Sequence, residues 1–198
     1  MIVARVAHRL ALDHPDFVER LAVIDIAPTA TMYSSTNREF AEAYDHWFFL
    51  IQPSALPERL IGADPEYFLR HTLRTWCQRE GAISEEVLAA YIEAFATPAA
   101  IHAACEDYRA AATIDLEHDQ ADDLASRCLT MPMLVLWGAR GTVGRLFDVL
   151  ACWREKSNAE VTGDALDCGH FCLRRRPMKR CLSSVSYTHL TLPTILLV

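Results

Sequence analysis

Two saturated apolar runs, a weaker third, and a long helical stretch between the first two predict an α/β fold. The runs are LAVIDI at 21–26, MPMLVLWG at 131–138 and AEVTGDAL at 159–166. Short runs of this kind read as strands, and saturation with apolar residues reads as cover on both faces. A Gly-His turn, DCGHF, follows the third run at once. In open α/β sheets, reactive groups gather in loops beyond the carboxyl ends of the strands.

The first element is a helix from Ala4 to Asp13, with Val6, Ala7, Leu10 and Ala11 expected on its buried face. Pro15 ends it. Only Met1 to Val3 precede this helix, although a strand normally stands in front of such an element. After the first strand, residues from about 33 to 127 show no strand pattern and carry helix-start signals. Asp64 before Pro65, Thr97 before Pro98, and Ser84 before two glutamates each place a capping oxygen ahead of a helix. The second and third strands follow, with a helix between them.

The 198 residues suffice for one domain with a sizeable core. A formal net charge of -7 argues against general attraction to nucleic acid or an anionic membrane. The seven cysteines are odd in number and form no CxxC pair, so reduced thiols and a cytoplasmic location are expected. No apolar run approaches the roughly 20 residues of a membrane span.

Asp25 ends the first strand and His170 follows the third. A carboxylate holding a histidine that acts as general base is a recurrent arrangement. Spacing alone favours the plainer reading, in which Asp25 caps a turn and His170 is structural. On local pattern, His46 and Trp47 read as helical core, Tyr108 as helix surface, and Arg5 as a solvated charge.

The segments ARVAHRLALDHP, LAVIDIAPT, YDHWFFLIQP, CEDYRAAATIDLEHD, PMLVLWGA and GHF together resemble the haloacetate dehalogenases of the α/β-hydrolase superfamily, from Ala4 to Phe171. The resemblance implies a partial α/β-hydrolase fold: the last three strands, at 1–30 and 128–171, around an all-helical cap at 31–127. It implies that a nucleophile elbow, G-H-D-R-G, stands ahead of Ala4, its Asp falling where this chain has Met1 and its Arg where it has Ile2. In that mechanism the Asp carboxylate displaces halide and His170 activates water against the resulting ester, with Asp25 as its partner. The loop after the second strand, ARGTVG, holds no acid, which favours Asp25. The family match gives His46, Trp47 and Tyr108 to the halide and Arg5 to the substrate carboxylate. It implies a small-molecule haloacetate substrate, no metal or organic cofactor, no nucleic-acid or membrane partner, and a homodimer for the full-length parent. A chain without the elbow is expected to be inactive. Other lidded α/β hydrolases, acting on epoxides or esters, are the nearest alternative. A non-enzymatic helical interaction module is the alternative of another class.

The tail CLRRRPMKRCLSSVSYTHLTLPTILLV offers a zinc set (Cys168, His170, Cys172, Cys181), a basic run (Arg174, Arg175, Arg176, Lys179, Arg180) and a short apolar end. Zinc is disfavoured by the C-x-H-x-C spacing. A frameshift just after Phe171, with adapter-derived sequence from about Val185, explains more: shifted by two bases, a plausible coding sequence reads P-E-E-A-P-D-E-T-L, similar to the family's continuation.

Overall fold

The computed structural model describes residues 2–77 and 83–171. The tail readings on Cys172, Cys181, the basic run and the apolar end therefore lie outside the described residues, as does Met1. The chain forms two compact units, one of residues up to Tyr33 together with those from Asp119 onward, the other Ser34–His118.

The first unit is built on a parallel sheet of three strands, β1 (Leu21–Ile24), β2 (Met133–Gly138) and β3 (Val161–Leu166), in the order β1-β2-β3. Leu21 pairs with Met133, and Met133 with Val161. Helix α1 (Ile2–Asp13) packs on β1 and ends before a one-turn 3-10 helix at Pro15–Phe17. Its buried stripe is Ala4, Ala7, His8 and Ala11, spaced i, i+3, i+4, i+7. Val6, expected inside, is 56% exposed, because it lies on the opposite side of that stripe. β1 is likewise less covered than its sequence predicts. Leu21 and Val23 are buried while Ala22 and Ile24 are half-buried, packed on Leu134 and Leu136. Among the described residues β1 has β2 as its single strand neighbour, so it is an edge strand. β2, at the centre, is buried along almost its whole length.

Two short helices, α10 (Thr142–Leu146) and α11 (Val149–Arg154), join β2 to β3. Trp153 of α11 is fully buried, and its indole N–H donates to Ile26 O at 2.9 Å. That bond fixes the loop leaving β1. The end of α1 is held by an ionic knot. Arg9 donates to Asp122 at 2.5 Å and to Asp13 at 2.6 Å. Arg127 donates to Asp122 at 2.8 Å and to the Leu12 carbonyl at 2.7 Å, satisfying an orphan oxygen of the helix end.

The second unit is helical: α3 (Arg38–Ala43), α4 (Asp45–Leu50), α5 (Leu56–Ala63), α6 (Pro65–Cys77), α7 (Glu85–Phe95) and α8 (Pro98–Ala112). The chain crosses between units within α2 (Thr29–Ser34) and α9 (Ile114–Leu124). The expected caps are in place. Asp64 accepts from Tyr67 N at 2.9 Å, Thr97 from Ala100 N at 3.1 Å, and Ser84 from Val87 N at 3.4 Å. The core gathers around Phe40, Trp47, Ile61, Ile101 and Cys105, each 2% exposed or less. Among the described residues no single helix is long and apolar enough to cross a membrane.

Candidate active site

The first unit brings Asp25 and His170 together. Asp25 directly follows β1, and its backbone N–H still donates to Leu136 O at 2.8 Å, so β2 holds its main chain. Its φ is +52°, a left-handed conformation that Asp tolerates better than most residues. This turn swings the carboxylate across the carboxyl end of β2. Oδ1 accepts from Gly138 N at 2.9 Å, and Oδ2 accepts from His170 Nδ1 at 2.6 Å. Asp25 is 2% exposed, whereas the His170 side chain is 24% exposed. A buried carboxylate thus holds one ring nitrogen and leaves Nε2 as the acceptor.

The histidine turn is pinned to the end of β2 from the main chain. Ala139 N donates to Leu166 O at 2.7 Å and Arg140 N to Cys168 O at 3.1 Å. The approach is close enough to demand glycine. A Cβ on Gly138 would lie 2.5 Å from Gly169 O and 2.8 Å from Cys168 O. A Cβ on Gly141 would press on both Asp25 carboxylate oxygens, at 3.1 and 3.4 Å. Arg5, in the same unit, is 8% exposed on α1, not the solvated charge that local pattern allows.

In the second unit α4 and α8 bring His46, Trp47 and Tyr108 into one aromatic cluster. The His46 and Tyr108 rings meet edge-on at 5.7 Å and those of Trp47 and Tyr108 at 6.2 Å. Trp76 lies 4.9 Å from His46, and Tyr44 lies 5.6 Å from Trp47. Tyr108 is 7% exposed, so the helix-surface reading of EDYR does not hold.

Sequence reasoning overlooked three contributors. The Gly138 N–H is a main-chain donor, legible only as the Gly that ends LVLWG. Trp76 joins His46 from α6, and no local pattern marks it. Arg109 engages Glu58 across 51 positions, a pairing that only the folded chain creates.

The chain is 42% identical over 174 residues to a fluoroacetate dehalogenase from Burkholderia sp, covering 87% of this chain and 56% of that one. It superposes on a crystal structure from Nostoc sp PCC 7120, described as an α/β hydrolase, with a TM-score of 0.87 and 55% identity. That match covers 93% of this chain and 62% of the other. The chain carries part of an α/β-hydrolase fold. More distantly, the chain is 29% identical to a soluble epoxide hydrolase from Corynebacterium sp. (strain C12), covering 87% of this chain and 59% of that one. It spans a little over half the length of these curated relatives. No family model matches it.

Proposed function

We propose that these residues are the base-bearing and cap-bearing portion of a haloacetate dehalogenase. The observation that carries the reading is the 2.6 Å bond from His170 Nδ1 to a buried Asp25, in a chain 42% identical to a fluoroacetate dehalogenase. In the proposed reaction a carboxylate supplied by the remainder of the family fold attacks the α-carbon. A C–O bond forms, the carbon–halogen bond breaks, and halide leaves with the electron pair. His170 Nε2 then takes a proton from water as its oxygen adds to the ester carbonyl; the acyl C–O bond breaks, the imidazolium returns the proton to the leaving alkoxide, and the hydroxy acid and the free carboxylate are released. Asp25 holds the ring in the required tautomer and stabilises the imidazolium.

Arg5 is assigned to the substrate carboxylate, where a planar guanidinium gives two parallel bonds. His46, Trp47 and Tyr108 are assigned to the leaving halide. An imidazole N–H, an indole N–H and a phenol O–H are fixed donors, and fixed donors stabilise developing negative charge without reorganisation. The 198 residues alone are proposed to be inactive, because none of these groups attacks carbon.

Fluoride release from fluoroacetate tests this. The chain as written should release none. A fusion to the upstream portion of the Burkholderia relative should release it. Release by the chain alone at a rate comparable to the relative, or a folded fusion that hydrolyses only esters, would overturn the assignment. The relationship to an epoxide hydrolase supports a second reading, in which the fusion opens epoxides to diols and leaves fluoroacetate intact.

A further inference from the structure

In the helical unit, Arg109 engages several partners at once. Its Nη1 donates to Glu58 Oε1 and to Glu106 Oε1, each at 2.6 Å. Its Nη2 donates to Glu58 Oε2 at 3.1 Å and to the Gln52 carbonyl at 2.7 Å. Its Nε donates to the same carbonyl at 3.1 Å. The guanidinium fork therefore grips two carboxylates and one main-chain oxygen at once, with side-chain exposure of 16% for Arg109 and 13% for Glu58. His102 completes the group, 3.2 Å from Glu58. The ligand-capable atoms of Glu58, His102 and Glu106 lie within 4.8 Å of one another, and the cation they hold is Arg109.

The placement of this knot matters more than its strength. Gln52 closes the turn that leaves α4: its N–H donates to Phe49 O at 3.2 Å and its side-chain amide to Phe48 O at 2.8 Å. α4 carries His46 and Trp47. Glu58 lies on α5, and Arg109 adjoins Tyr108 on α8. One side chain thus ties the end of the helix bearing His46 and Trp47 to the helix bearing Tyr108. The three rings meet edge-on at 5.7 and 6.2 Å, a geometry that a small slide of α8 along α4 would spoil.

We propose that Arg109, held by Glu58, is a positioning residue that sets Tyr108 in register with His46 and Trp47. Its significance for catalysis rests on the halide role given to those three residues above. Arg109 touches no substrate in this account. It acts through the helix it anchors. Arginine suits this role better than lysine, because a compact ammonium lacks the planar five-donor fork that here serves Glu58, Glu106 and the Gln52 carbonyl at once.

The test separates position from charge. Bromide is titrated into the 198-residue chain at constant ionic strength, and the Trp47 indole N–H resonance is followed by NMR. The chain has four tryptophans, and Trp47→Phe assigns the peak. Arg109→Lys keeps the positive charge, and Glu58→Gln removes a negative one. A purely electrostatic role leaves bromide binding unchanged in the first and tightens it in the second. Positioning weakens both, by about tenfold or more, because displaced donors lose most of their worth. It also shifts the Trp47 resonance in both variants before any halide is added, with far-UV circular dichroism unchanged. Undisturbed resonances with equal or tighter bromide binding would overturn the proposal. If the unsubstituted chain ignores bromide, the halide reading fails, and the halide-free Trp47 shift alone decides the positioning claim. If one variant fails to fold, the other decides.

Discussion

His8 gives the most quantitative prediction. It lies on the buried stripe of α1, 8% exposed, with its ring edge-on to Trp153 at 5.2 Å. Its Nε2 has no hydrogen-bond partner among the described residues. Burial, with Arg9 and Lys156 nearby, lowers its pKa from 6.5 to about 4, while Asp122 and Asp123 pull weakly the other way. The fold therefore prefers the neutral ring. The stability this gives is fully present above about pH 6.5 and is lost as pH falls towards 4. At about 1.4 kcal/mol per pH unit, that drop is worth about 3 kcal/mol. Folded domains have roughly 5–15 kcal/mol in total, so the loss is a large share. Replacing His8 with Leu, of similar size and without charge, should flatten this component. Urea unfolding of both proteins between about pH 7 and pH 4 measures it. The unsubstituted chain should lose about 3 kcal/mol more than His8→Leu over that interval. Parallel stability curves would refute the reasoning.

Other expectations follow from the site. Asp25→Asn keeps an oxygen for Gly138 N but offers His170 Nδ1 no carboxylate. In the fusion with the upstream portion of the Burkholderia relative it should lower turnover by on the order of 10⁴-fold without loss of fold, measured by fluoride release and thermal melting. Gly138→Ala forces a methyl to within 2.5 Å of Gly169 O, so the histidine turn must move. It should cost about 1–3 kcal/mol in urea unfolding and lower the fusion's activity further than stability alone explains. Cys105 is fully buried, and burial with Glu58 nearby raises its thiol to about 11. It should resist thiol reagents at neutral pH until the chain is unfolded, as peptide mapping would show.

What could be read from sequence follows the range of the interaction. The caps at Asp64, Ser84 and Thr97 depend on residues three positions away, and they form as expected. The three strands announce themselves because apolar runs need no partner to be recognised. Cover is different. Ala22 and Ile24 are half-buried because burial depends on what lies beside β1, which its own residues do not encode. Val6 shows the same limit at the scale of one helix, where several small residues could equally mark the inner face. The strand-end placement of Asp25 and His170 was legible; their contact across 145 positions was not, since it needs the left-handed turn at Asp25 and the Gly138 approach. The Arg109 knot joins residues that no periodicity connects.

The account stands on His170 as the base that hydrolyses an ester formed elsewhere in the fold. The most direct measurement uses His170→Ala in the fusion with the upstream portion of the Burkholderia relative, mixed with excess fluoroacetate. The account predicts about one fluoride per chain, then no further release, and a covalent adduct on the protein visible by intact mass. Continued turnover near the unsubstituted rate, with no adduct, would contradict it.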